Sequence, residues 1–87
     1  MNTDAVLKER GSRYGKFIDQ TRIIDGLMEP MRLAGLDDLE TDQKESLHQI
    51  AVKISRILNG DPNYVDNWDD IAGYAELVSK RLKGEEI

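Results

Sequence analysis

The chain has no cysteine, which excludes disulfides and thiolate metal sites and agrees with a reducing compartment. Proline is rare and aromatic residues are few: two prolines, one tryptophan, one phenylalanine and three tyrosines in 87 residues. No apolar run approaches the roughly 20 residues that span a bilayer. The opening MNTDAVLKERG is too polar and too mixed in charge for a secretory leader. Together these absences predict a cytoplasmic protein with no membrane contact. No run alternates apolar and polar residues, so nothing reads as a strand.

Basic charge is also in short supply. Twelve Lys and Arg against 17 Asp and Glu leave a net charge of −5. That balance argues against binding a nucleic-acid backbone, which relies on a basic patch. The basic residues are spread along the chain, with one modest cluster at Lys80-Arg81-Lys83.

What is present is helical. The length fits one domain, residues 1–87, and so short a chain is either marginal alone or stabilised by self-association. Asp4 to Arg10 predicts a short helix capped by Thr3 or Asp4 and stopped by Gly11, with Gly11–Gly15 as a loop. From Phe17 the apolar residues Ile18, Ile23, Ile24, Leu27, Met28, Met31 and Leu33 recur at helical spacing. Pro30 should kink or end that helix, about residues 17–34, near Met28. A third helix, about 41–59, is capped by Thr41 or Asp42 and stops at Gly60. Its predicted core face is Leu47, Ile50, Ala51, Ile54, Ile57 and Leu58.

Asp61-Pro62-Asn63 is a turn signal. Asp66 or Asn67 then caps the last helix, about 66–83, whose predicted core stripe is Trp68, Ile71, Ala72, Ala75, Val78 and Leu82. Gly84 and the acidic residues after it are expected to fray. The prediction is an all-α bundle of three to four helices, with the last two forming an antiparallel hairpin. On the last helix Asp70, Tyr74, Leu77 and Arg81 form a second line, and Val52 lies opposite the core face of the preceding helix. These four residues, Val52, Tyr74, Leu77 and Arg81, are candidates for an interface with a second copy, unless the helix at 17–34 covers them.

Candidate chemistry concentrates near the last turn. Asp66 and Asp70 share a helix face, with Asp69 about 60 to 100° away. Carboxylates so placed can hold Mg²⁺, and they are equally what a helix N-terminus favours. Lys53 and Arg56 on the preceding helix can pair with Asp70 or hold a phosphate. Arg13-Tyr14-Gly15-Lys16 is a basic loop with a glycine, without the length of a P-loop. His48, the sole histidine, reads as a surface or boundary residue.

These segments carry two resemblances. Arg13-Tyr14-Gly15 with Phe17, then Lys53 to Ile57, then Asp66-Asn67-Trp68-Asp69-Asp70-Ile71-Ala72-Gly73-Tyr74-Ala75 resemble an uncharacterised family of small phage and prophage proteins. The matching segments extend over well more than half of the chain, and the likeness implies a host-cell cytoplasmic location. More distantly, the helix pair is similar to the MazG-like all-α nucleoside triphosphate pyrophosphatases. Those enzymes oligomerise and hold Mg²⁺ with Glu-x-x-Glu on one helix and Glu-x-x-Asp on the next. Aligned so, the final aspartate falls on Asp70, the preceding glutamate on Asn67, and the Glu-x-x-Glu on Lys53 and Arg56, with Asp66 as a stand-in ligand. The first resemblance implies a self-associating accessory protein that acts through protein contacts, without catalysis or cofactor. The second implies Mg²⁺ on Asp66, Asp69 and Asp70, and a nucleotide whose phosphates meet Lys53, Arg56, Arg13 and Lys16.

Overall fold

The computed structural model describes residues 3–86, and all of its regular structure there is helical. The helices are α1 (Thr3–Tyr14), α2 (Phe17–Leu33), α3 (Thr41–Asn59) and α4 (Val65–Leu82), with one turn of 3₁₀ helix at Leu36–Asp38 between α2 and α3. The all-α prediction and the α3–α4 hairpin hold.

Local departures from expectation have local causes. α1 does not stop at Gly11. It runs through that glycine to Tyr14, held by the Glu9–Arg13 ion pair at 2.8 Å and by Ser12 Oγ donating to the Glu9 carbonyl at 2.7 Å. Gly15, at φ +78°, is the residue that breaks it. α2, by contrast, keeps the expected bounds and runs through Pro30 to Leu33. Pro30 and Gly26 are both exposed, so water can take the carbonyl that proline leaves without a donor.

Neither expected cap residue of α3 fills that position. Glu40 does, and its N–H donates to Gln43 Oε1 at 3.1 Å. Likewise Tyr64, not Asp66 or Asn67, precedes the first turn of α4. Beyond α4, backbone hydrogen bonds close the helix end through residue 85. Gly84 adopts φ +84°, its N–H bonds the Arg81 carbonyl, and the Glu85 N–H bonds that of Lys80, both at 3.0 Å. That pair of bonds is the Schellman closure; Ile87 lies outside the described residues.

α3 is the central helix. It packs against α1, α2 and α4, whereas α2 and α4 make no comparable contact with each other. The helices therefore form an open bundle, measuring 43 × 29 × 25 Å. Its radius of gyration is 14.8 Å, against about 12 Å for a compact chain of this length.

Openness leaves a small core. Among the described residues only Met28, Leu36 and Ala51 are buried hydrophobics, with Ile24, Leu27 and Met31 packed against them. On α3 the buried residues are Ser46, Ala51 and Ser55, so small side chains line its contacts. The predicted faces are displaced accordingly: Leu47 and Leu58 on α3, and Trp68, Ala72, Ala75 and Leu82 on α4, are exposed. α4 turns a different face inward, led by Asn67 (1% exposed) and continued by the half-buried Ile71, Tyr74 and Val78. That face lies between the two predicted lines, since residues 67, 71, 74 and 78 share one side of a 3.6-residue helix.

Candidate functional site

The turn between α1 and α2 crosses the turn between α3 and α4, and polar contacts hold the crossing. Asp61 N–H donates to the Arg13 carbonyl at 2.7 Å. Asn59 Nδ2 donates to the carbonyls of Tyr14 and Lys16, each at 2.9 Å. Two glycines let the strands of backbone approach. A Cβ on Gly15 would meet Asn59, and one on Gly60 would meet the backbone of Arg13 and Tyr14.

Around the crossing two arginines alternate with two tyrosines. The Arg56 guanidinium lies 4.3 Å from the Tyr14 ring centroid, and that of Arg13 lies 4.8 Å from the Tyr64 centroid. The two rings meet edge to face at 6.2 Å. Arg13 also donates to Tyr64 Oη at 3.0 Å, and Tyr64 Oη donates to Asp66 Oδ2 at 2.8 Å. The Asp66 bond, with burial adding to it, holds the Tyr64 phenol above its ordinary pKa.

Along the hairpin, ion pairs fix the register. Lys53 Nζ lies 3.0 Å from Asp70 Oδ2, with the lysine side chain only 12% exposed. Arg81 grips Asp42 with two bonds, Nε to Oδ2 at 2.8 Å and a second nitrogen to Oδ1 at 2.6 Å, and reaches Glu40 at 2.9 Å. The Arg81 hydrogen bond lowers the Asp42 carboxyl below its ordinary value, and the same bond raises Arg81.

The predicted site residues thus separate into different tasks. Of the phosphate candidates, Arg13 is taken by Glu9 and Tyr64, and Lys53 by Asp70. Arg56 and Lys16 line a common cavity. Of the metal candidates, Asp66 serves Tyr64, Asp70 serves Lys53, and Asp69 is exposed. Among the described residues no three acidic or histidine side chains converge as a metal site.

The positions aligned with metal ligands do face one another in part. Pairing Lys53 with Asp70 in an antiparallel hairpin sets Arg56 at the level of Asn67, one turn along each helix. The side chains there do not fit a divalent cation: two are cations, one is an amide, and the single carboxylate already faces an ammonium group. Donors outnumber acceptors at this level, since Arg56 Nε and Asn67 Nδ2 are both enclosed without a hydrogen-bond partner.

The predicted interface line fares differently again. Arg81 is committed to α3, Val52 and Tyr74 are half-buried, and Leu77 alone is exposed. The open apolar surface lies on the other flank of α4. The exposed Trp68 (54%), Ala75 and Leu82, edged by the half-buried Ile71 and Val78 that also border the inward face, recur at alternating steps of three and four residues, the spacing of a helix–helix seam. Leu47 and Ile50 of α3 join Leu39, Ala75 and Val78 around one groove of about 300 Å³, with Gln43 and Ser46 also on its wall. Trp68 is steadied there by its indole N–H, which donates to the Pro62 carbonyl at 2.9 Å.

Sequence reasoning passed over Tyr64, Asn59 and Arg10. Asn59 had a visible signal, an amide beside a glycine at a helix end, where side chains satisfy stray backbone groups. Tyr64 and Arg10 had none, because their roles depend on how the two turns cross. Compared with known proteins, the chain matches no family model, no curated protein and no solved structure.

Proposed function

We propose that this chain is a small accessory protein of phage type that acts through protein contacts, without catalysis, and that it first pairs with a second copy of itself. The observation that supports pairing is the uncovered apolar flank of the α3–α4 hairpin. The accessible surface is 6216 Å², whereas a compact monomer of 9.9 kDa exposes about 5,200 Å². The excess, roughly 1,000 Å², is shared between this flank and α1, which buries no residue, and is of the order of the ~800 Å² per partner that a standard interface removes.

A two-fold axis along the seam lays the α3–α4 hairpin of each copy on the other. Four helices then enclose Leu47, Ile50, Trp68, Ala75 and Val78 in a bundle core of the usual kind. The self-association surface is therefore the Trp68–Leu82 flank and not the line of Val52, Tyr74, Leu77 and Arg81. The phage-type assignment rests on the resemblance of residues 13–17, 53–57 and 66–75 alone.

Trp68, the only tryptophan, reports on the seam directly. Diluting the protein should shift its emission to the red as the indole returns to water, while the far-ultraviolet circular dichroism per residue stays constant. Emission that does not change on dilution, in a protein that sediments as a monomer, would remove the basis for pairing.

A further inference from the structure

A cavity of about 680 Å³ lies where the end of α1, the start of α2 and the middle of α3 meet. In a chain with five more acidic than basic residues, its walls carry three cations, Arg10, Lys16 and Arg56, and no carboxylate. None of the three has an ion-pair partner among the described residues, although Arg13 and Lys53 close by are both paired. Arg56 is held in place by the Tyr14 ring. A guanidinium so positioned on the cavity wall, with no carboxylate among the lining residues, can form charge-assisted bonds to an anion there.

The rest of the wall is apolar. Leu7, Phe17 and Ile18 line it and are 59%, 76% and 56% exposed. The first turn of α2 borders the cavity, and no side chain caps that helix end. Its free N–H groups add positive potential to that of the three cations. Three cations and a helix end suit a dianion better than a monoanion, and the volume is that of a small-molecule pocket.

We infer that this cavity binds a phosphate monoester with an aromatic or aliphatic body. Its dianionic head is held by Arg10, Lys16 and Arg56, and its body lies on Leu7, Phe17 and Ile18. The site is separate from the Trp68–Leu82 seam, so it stands or falls independently of self-association. It differs from a nucleotide–magnesium centre in using neither Lys53 nor the aspartates of α4.

Phenyl phosphate is the probe, with inorganic phosphate and phenol as half-ligands, read by calorimetry and by backbone amide shifts. Phenyl phosphate should saturate at one per chain and move the amides of residues 14–18. Inorganic phosphate should bind at least about tenfold more weakly, and phenol more weakly still. Lys16→Gln and Arg10→Gln change exposed positions, so they test the head without risk to the fold. Each should weaken phenyl phosphate about tenfold, the loss expected for one charge-assisted bond. Arg56→Gln should weaken it further. Equal binding of phenyl and inorganic phosphate, binding indifferent to all three substitutions, or no saturable binding would each overturn the inference.

Discussion

Replacing Gly60 by alanine tests the crossing of the two turns, on which the cationic cavity depends. A Cβ at Gly60 would meet the Arg13 carbonyl oxygen and lie 2.5 Å from Tyr14 Cα and 2.6 Å from the Arg13 carbonyl carbon. All three are backbone atoms, so no side chain can swing aside. The end of α1 must move, and with it the Asp61 to Arg13 bond. Overpacking of this kind costs about 1–3 kcal/mol, and the lost hydrogen bond adds about 0.5–1.5 kcal/mol. A total of about 2–4 kcal/mol is a large share of the stability of so small a domain, about 4–13 kcal/mol. With an unfolding entropy near 2.1 cal/mol/K per residue, 87 residues give about 0.18 kcal/mol/K, so the midpoint should fall by roughly 11–22 °C.

The assay is thermal and urea unfolding followed by circular dichroism at one fixed protein concentration, because the proposed pairing would make the midpoint depend on concentration. Gly26→Ala is the control. Gly26 is exposed within α2, and nothing lies within 4 Å of a Cβ there. The same change should stabilise by about 0.5–1 kcal/mol through helix propensity. A Gly60→Ala protein as stable as the parent would refute the crossing geometry.

Three further outcomes follow from individual contacts. Asn59→Ala removes both bonds to the Tyr14 and Lys16 carbonyls and should cost about 1–3 kcal/mol in urea unfolding; a loss below half that range would mean that water replaces the amide. The folded pKa of Asp42 is lowered by Arg81, so its stabilisation is complete above the unfolded value near 4 and is lost as pH falls through the folded value. Asp42→Asn should therefore be less stable than the parent at neutral pH and show a shallower acid limb, whereas identical limbs would contradict the pairing. Lys53→Met keeps the bulk and removes the ammonium from Asp70. Because Asp70 is the single carboxylate among the four positions aligned with metal ligands, losing the ammonium alone should not create a site. Mg²⁺ should therefore bind no better in Lys53→Met, and a clear gain would show that the lysine alone was the barrier.

Helix positions were legible because turn chemistry and 3.6-residue periodicity are local. The Asp61-Pro62-Asn63 turn appears with Asn63 N–H on Asp61 Oδ1 at 2.9 Å, and α3 ends at Asn59, just before Gly60 as expected. Which face of each helix turns inward was less legible. Periodicity marks apolar positions but cannot tell a monomer core from a seam, and α4 carries Trp68, Ile71, Ala75, Val78 and Leu82 in a spacing that serves either. Small and polar residues made the actual contacts: Ser46, Ser55 and Asn67 are buried, against the usual ranking of buried residue types. Gly11 misled for a related reason, since a glycine on an exposed helix weakens it without ending it. The candidate site was legible only in pieces. Lys53 with Asp70 could be foreseen from a hairpin, but Arg10 and Phe17 join Arg56 only through the crossing of two turns.

Sedimentation equilibrium of the parent and of Ala75→Lys tests the central claim most directly. Ala75 is exposed at the middle of the seam, and lysine is a good helix former, so the fold should be undisturbed while the seam gains an unpaired charge. The parent should sediment as a dimer that dissociates on dilution, and Ala75→Lys as a monomer with unchanged helix content. A parent that remains monomeric at every concentration, or an Ala75→Lys dimer as tight as the parent's, would contradict pairing through this face.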